Sequence, residues 1–398
     1  MSALLNRQLI RLLIAVLVLT LGQAGRAQAP QDPAPSEDPD VKLGRESAAE
    51  HDKTVKFVTD PATVERVERI GREIAGIANE VTVPILWGLS SKKQFEYRFR
   101  VVEDKDVNAY SMPGGFIYVN SGLLAFAKSD DELAGVLAHE VVHAAHRHMM
   151  KLIAEQEKMQ LAALGPALIS VLLGKGGTDT TSNLLLAGQL WMTAKLSGYG
   201  VEAEKDADNA AVHYLKRTKY NPVGLLTFME RLYRQERLKP EVELGIYRTH
   251  PPSVERAQAL IRLLRELDIP INRRATDPSI AAGVFPTEKD GAQAFDVKMN
   301  GTVIVRLASS EGDAPAARAE ALAKSVNALF DDGLVAFELG LSSDQTRVIA
   351  RRRTLLAVTE ADARASERSV QDVAKGMVEA LRNLLWQDQF NKTPMPRT

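Results

Sequence analysis

The stretch Leu137–His148, LAHEVVHAAHRH, decides how the rest of this chain is read. It carries four of the seven histidines among 398 residues, together with one glutamate. It lies within DELAGVLAHEVVHAAHRHMMK, which reads as one helix capped by Asp130 or Asp131. Residues four apart share a helix face, so His139 and His143 of the His-Glu-x-x-His pattern can reach one ion. Glu140 sits one position round, where it can address a water held by that ion. The competing reading is a solvated basic face. Two histidines do not complete a catalytic metal site, because three protein ligands and an open position are usual, commonly two histidines and a glutamate. A carboxylate is therefore required elsewhere in the chain.

Glu204 in VEAEKDADNAA is the best candidate. Asp208, four residues on, shares its face and can accept a hydrogen bond from the free N–H of a ligand histidine. Glu202 competes as the ligand but projects from a different face from Asp208. His146 lies three residues beyond His143, yet three ligands on one straight helix would give poor tetrahedral geometry. His146 and His148 are therefore expected to be packing or surface residues. His51 and His213 stand alone, and no role is assigned to them.

The bulk composition narrows the remaining classes. The chain is 45% hydrophobic and 25% charged, as expected of a globular protein. A net charge of −1 with no long basic run argues against nucleic acid as a partner. The absence of cysteine excludes a thiolate nucleophile, disulfides and a lipid-anchored cysteine. At the N-terminus, Arg7 and Arg11 precede the apolar run LLIAVLVLTLG and then QAGRAQAP, the pattern of a secretory signal peptide over residues 1–27. Cleavage is expected after Ala27, because cleavage after Ala29 would place Pro30 next to the scissile bond. A retained anchor is the alternative, opposed by a run shorter than the roughly 20 residues of a span. The expected location is the periplasm. Residues 28–41, rich in proline and acid, read as a disordered spacer.

Residues 42–268 form the segment that carries the metal constellation. Val64, Val67, Ile70, Ile74 and Ile77 recur at helical spacing from Pro61 to Asn79. YRFRVVED and GGFIYVN read as strands joined by the loop VNAYSMPGG. The apolar stretches Met159–Gly174 and Leu184–Met192 read as a helical hairpin. It either packs into the core or leans on a membrane beside a groove, making peripheral contact through 159–192. Further helices are expected through VEAEKDADNAAVHYLKR, NPVGLLTFMERLYRQER and THPPSVERAQALIRLLREL, the last capped at Ser253. Residues 269–290 read as a linker and 291–390 as a smaller α/β module. Its expected strands are FDVKMNGTVIVRLA, GLVAFELGLS and TRVIARRRTLLAVT, and Arg351–Arg353 read as a solvated strand end. The fold class is α+β.

VNAYSMPGGFIYVNSGLL, DELAGVLAHEVVHAAHRH, EAEKDAD and THPPSVERAQAL occur in that order. Over residues 42–266 the chain resembles the zinc metallopeptidases of the CAAX-prenyl-endopeptidase and heat-shock-protease (HtpX-like) type, especially the soluble periplasmic bacterial members. The resemblance implies a mainly helical zincin-type domain with a small β-sheet and one zinc per chain. It implies His139, His143 and Glu204 as zinc ligands, Glu140 as general base and Asp208 as support. His250 and Arg256, in a His-Pro-x-x-x-x-Arg pattern, would flank the site and stabilise the oxyanion or control access. Asn108, Ala109, Gly114 and Gly115 would hold an extended peptide beside the zinc, along an edge such as GGFIYVN. One departure is Gly200-Val201, where the family often has a serine-arginine pair.

The function so implied is an exported zinc-dependent endopeptidase acting on unfolded or misassembled envelope proteins. Expected partners are extended polypeptides and the outer-membrane protein assembly machinery. The alternative is an envelope assembly factor or chaperone whose zinc site is occluded, with His250 capping the fourth position. An integral-membrane prenyl-protein protease is disfavoured, because no clear spans flank the His-Glu-x-x-His helix. The C-terminal module resembles a small α/β domain found beside membrane-associated bacterial proteins, and a partner-binding or regulatory role is expected of it.

Overall fold

The computed structural model describes residues 37–155, 200–239, 241, 244–250, 254–289, 292–309 and 314–391. The expected signal segment 1–27, the hairpin 159–192 and the Ser253 cap lie outside the described residues. The main elements of the first module are α1 (Pro39–Asp52), α2 (Pro61–Glu80), β1 (Arg98–Val102), β2 (Ala109–Met112), β3 (Phe116–Asn120) and α3 (Asp130–Ala145). They are followed by α4 (Val201–Leu215), α5 (Val223–Leu238) and α6 (Val254–Glu266). The architecture is α+β.

Helix α2 forms where the 3.6-residue period places it, and Val67, Ile70 and Ile74 are fully buried. Asp60 caps it by accepting a hydrogen bond from the Thr63 amide at 2.9 Å. Helix α3 is the centre of the module. Every residue from Glu132 to Ala145 is buried, because α2, α4 and α5 pack around it. Its crossing with α5 is close enough that a Cβ on Gly135 would sit 2.7 Å from the Leu225 backbone.

Both ends of α3 differ from the sequence expectation. The cap is Ser129, whose Oγ accepts from the Glu132 amide at 3.2 Å, rather than Asp130 or Asp131. The C-terminal end comes at Ala145, six residues short of the expected end at Lys151. The carbonyls of Ala145 and His146 are taken by the amides of Lys93 (3.2 Å) and Leu89 (3.1 Å) from a neighbouring segment. Arg147 then adopts a left-handed conformation with φ of 60°, and helix resumes over 148–155. His146 and His148 are thereby turned off the face that His139 and His143 share.

The small sheet runs β1-β3-β2, with β3 parallel to β1 and antiparallel to β2. Two expectations are corrected here. The segment read as the loop VNAYSMPGG contains strand β2, in register from Ala109–Val119 to Met112–Phe116. In consequence GGFIYVN forms the central strand, paired on both sides, and offers no edge for a peptide. The turn between them uses Gly114 and Gly115 at φ of 75° and 88°.

The second module contains β4 (Gly283–Lys289), β5 (Ala292–Met299), β6 (Thr302–Ala308), α7 (Pro315–Asp331), β7 (Leu339–Leu341), β8 (Arg347–Ala350), β9 (Arg353–Ala357) and α8 (Val370–Asn391). Two three-stranded antiparallel sheets, β4-β5-β6 and β7-β8-β9, share a core with α7 and α8. FDVKMNGTVIVRLA is a hairpin turning at Asn300-Gly301, not a single strand. TRVIARRRTLLAVT likewise turns at Arg351-Arg352, both left-handed. Part of the expected linker is structured, since it holds β4 and the short helix Arg273–Thr276. That helix is fastened in both directions. Arg273 pairs with Glu230 of α5 through two 2.8 Å hydrogen bonds, and Arg274 pairs with Asp331 of α7 (2.7 Å) and with Asp388 of α8. No helix among the described residues is long and apolar enough to cross a membrane.

Candidate active site

Helix α3 supplies His139, Glu140 and His143, and α4 supplies Glu204, Asp206 and Asp208. The short helix Gly245–Thr249 delivers His250, and α6 delivers Arg256. His139 Nε2 lies 3.0 Å from His143 Nε2 and 3.2 Å from Glu204 Oε2. His143 Nε2 is 3.5 Å from Glu204 Oε1. His250 joins the same point: its Nδ1 is 3.1 Å from Glu204 Oε1 and 3.3 Å from His139 Nε2. One donor atom from each of these four residues lies within 4.8 Å of the others, and all four residues are at least 95% buried. With zinc–ligand distances of about 2.0–2.1 Å, the edge of a tetrahedral site is about 3.3 Å. The observed spacings straddle that value, so the donor set fits a zinc ion.

The electrostatics mark the same spot. Burial opposes charge on His139, but the Glu204 carboxylate and hydrogen bonds to Asp208 and Glu204 outweigh it and hold its pKa up to about 10. Burial and the charge on His139 hold His143 well below its ordinary value. Burial alone would raise Glu204, yet Arg256, His250 and His139 hold it well below the carboxylate range. In the metal-free cluster these shifts place a positive charge on His139, opposite the Glu204 carboxylate.

Around this centre the supports are specific. His139 Nδ1 lies 3.0 Å from Asp208 Oδ1. Arg256 donates to both Asp208 oxygens at 2.8 and 2.9 Å, and its Nη1 is 2.8 Å from Glu204 Oε2. Glu140 is 1% exposed, its Oε1 is 3.3 Å from His250 Nε2, and its Oε2 has no hydrogen-bond partner among the described residues. A pocket opens beside it, walled by Leu225, Phe228, Met229, Leu232 and Ile246.

The family model Peptidase family M48 matches residues 61–263, half of the chain. The chain belongs to peptidase family M48. A second model, a domain of unknown function, matches residues 296–387. Among curated proteins, the beta-barrel assembly-enhancing protease of Escherichia coli K12 is 25% identical over 268 residues, covering 62% of this chain and 50% of that protein. The metalloprotease LoiP of the same organism is 31% identical over 160 residues, 40% of this chain and 60% of its own. The mitochondrial metalloendopeptidase OMA1 of Saccharomyces cerevisiae is 28% identical over 174 residues, 42% of this chain and 47% of its own. The chain spans about half the length of the curated relatives it matches first. These matches identify the M48 family without singling out its CAAX-prenyl or heat-shock branch.

Within this M48 module the structure brings together His139, Glu140, His143, Glu204, Asp208, His250 and Arg256. Glu202, the rival to Glu204, is exposed and pairs with Lys205 at 3.6 Å. Arg256 contacts both carboxylates, Glu204 and Asp208, and also lines the pocket beside Glu140. Asn108 is buried and accepts a 3.1 Å hydrogen bond from Thr249, while the Ile246 amide donates to the Val107 carbonyl. It thus anchors the short helix that precedes His250. Ala109 is fully buried in β2. Gly114 and Gly115 lie at the covered end of the hairpin. A Cβ on Gly114 would meet Val41 Cα at 2.7 Å, and one on Gly115 would meet Phe95 Cβ at 3.0 Å.

Asp206, to which the sequence assigns no role, meets His146 and His148, which are packed in the interior rather than set at the surface. All three are fully buried, with Asp206 Oδ2 lying 2.5 Å from His146 Nδ1 and 2.9 Å from His148 Nε2. Of the two isolated histidines, His51 contacts Tyr110 Oη through Nε2 at 2.6 Å.

Proposed function

We propose that the chain is an exported zinc-dependent endopeptidase that hydrolyses extended segments of unfolded or misassembled envelope proteins. The observation that carries the reading is the convergence of His139, His143, Glu204 and His250 on one buried point beside Glu140. His139, His143 and Glu204 would hold the zinc. Bound there, zinc polarises the scissile carbonyl and lowers the pKa of a water it holds toward about 7. Glu140 takes the proton from the attacking water and passes it to the leaving amine. Its unpartnered Oε2 is the oxygen suited to that transfer. The apolar pocket beside Glu140 suits an aliphatic or aromatic side chain of the substrate, which excludes water from the reacting bond. The envelope setting rests on the signal-like residues 1–27 and on the likeness to a beta-barrel assembly-enhancing protease.

A second reading concerns the resting state. His250 Nδ1 lies as close to the other donors as they lie to one another, so it can fill the fourth position. In that state the site is latent, and the chain would act first as an envelope assembly or chaperone factor with weak proteolysis. When His250 withdraws, the same ring can donate to the developing oxyanion.

One experiment tests both readings. Zinc content and casein cleavage are measured for the wild type, Glu140→Gln and His250→Ala. About one zinc per chain is expected in the wild type and in Glu140→Gln, with cleavage lowered about 10²–10⁴-fold in the latter. Chelation should abolish cleavage in the wild type. A wild type that carries no zinc would sink the enzyme reading. Higher cleavage in His250→Ala supports a capped resting site, and lower cleavage assigns His250 to the reaction alone.

A further inference from the structure

The two histidines of the His-Glu-x-x-His pattern are backed differently. His139 meets Asp208 directly, at 3.0 Å from Nδ1. His143 meets another imidazole: its Nδ1 is 2.9 Å from Nδ1 of His148. The far nitrogen of His148, Nε2, is 2.9 Å from Asp206 Oδ2. Asp206 is itself fixed, because its Oδ1 accepts from the Leu86 amide at 2.6 Å and His146 Nδ1 lies 2.5 Å from its Oδ2. The edge of Trp87 packs on the His148 ring, with centroids 5.3 Å apart. Every side chain in this row from His143 to Asp206 is at least 99% buried.

A loaded site admits an arrangement in which these contacts pass protons in one direction, with the Trp87 backbone as a further partner of the His148 ring. The Nε2 of His143 faces the donor set, so a metal there requires that nitrogen to be bare and the proton to sit on Nδ1. His143 then donates to His148 Nδ1, which must be bare in turn. The single proton of neutral His148 therefore sits on Nε2 and is donated to Asp206. We infer that His148 and Asp206 form a positioning relay behind His143, which selects its metal-binding tautomer and aims Nε2 at the ion. The inference rests on the reading of His139, His143 and Glu204 as metal ligands. The helix break at Arg147 is what makes the relay available, since a continuous helix would carry His148 away from His143.

The test uses the full chain stripped of metal, with zinc affinity read against a competing chromophoric chelator and apo-protein stability read by thermal unfolding. His148→Leu removes the acceptor facing His143, and His148→Asn keeps an acceptor oxygen near the place of Nδ1. The relay predicts zinc binding about 10–100-fold weaker in His148→Leu. His148→Asn should recover most of that loss. Apo unfolding midpoints of the two variants should agree. Asp206→Asn, read by the same titration, should weaken zinc binding several-fold and serves where the leucine variant does not fold. Wild-type affinity in both His148→Leu and Asp206→Asn overturns the relay and leaves the metal reading intact. Equal weakening in the leucine and asparagine variants also overturns it, since ring volume alone would then matter. A wild type that binds no zinc removes the metal reading and the relay together.

Discussion

The two modules bury charge in different ways. In the second module each buried acid is answered by its own separate set of two or three partners. Asp296 takes Arg306 at 2.7 Å and Lys298 at 3.2 Å, and Asp362 takes Arg318 at 2.8 Å and the Ala308 amide at 2.9 Å. In the M48 module, acids and bases from α3, α4, α6 and the residue after the short helix Gly245–Thr249 crowd one point, so each group touches several others. Buried charge by itself is a packing device, whereas convergence of donors from separate elements marks a place where something must bind. Burial penalises both arrangements, but only the second leaves donor atoms facing one another.

Four substitutions test that distinction, in falling order of expected effect. Arg256→Leu strands Glu204 and Asp208 without their shared cation, so metal-free protein should lose about 3–5 kcal/mol by chemical denaturation. Its zinc affinity should fall as well, and a loss below about 1 kcal/mol would deny the site its crowded electrostatics. Asp362→Ala removes the acceptor of the Ala308 and Thr359 amides and the ion-pair partner of Arg318, for a loss of about 2 kcal/mol with zinc affinity unchanged. Weaker zinc binding there would blur the contrast between the modules. Gly301→Ala should cost about 1 kcal/mol, because the turn holds φ at 76° with open space around it.

Asp296→Asn should have the smallest effect and should show it only in acid. Burial would raise the Asp296 pKa, but Arg306 and Lys298 outweigh it and hold the carboxyl below its ordinary value of 3.8. A carboxyl depressed in the folded state adds stability that is present above its unfolded pKa and lost as pH falls through the folded one. Stability curves of wild type and Asp296→Asn should therefore converge below about pH 4. Parallel curves there would show that the pair contributes nothing.

What was legible followed from spacing. The four-residue interval placed His139 and His143 on one face, and the same interval aligned Glu204 with Asp208, because helical geometry is local. The period of α2 was legible for the same reason. The end of α3 was not, since it is set by amides of Leu89 and Lys93 more than fifty residues away in sequence. That one tertiary event hid the arrangement of His146 and His148. Strand β2 was missed because the Ala109–Met112 segment, flanked by Asn108 and Pro113, looks like a loop until it pairs with β3. The Asn300-Gly301 turn carried a signal that could have been used. Arg351-Arg352 carried none, as arginine is not a turn former. The closeness of His250 to the other donors depends on the Asp106–Asn108 segment holding its helix, which no local pattern announces.

The salt bridge between Arg147 and Asp40 joins residues 107 positions apart, at 2.5 and 2.8 Å, across the break that turns His148 toward Asp206. The donor set itself spans residues 139 to 250. Such long-range closures form late in folding, because each must overcome the entropy of a long loop before any contact rewards it. A partly folded chain that lacks these closures has no assembled donor set, because its members come from elements more than a hundred residues apart.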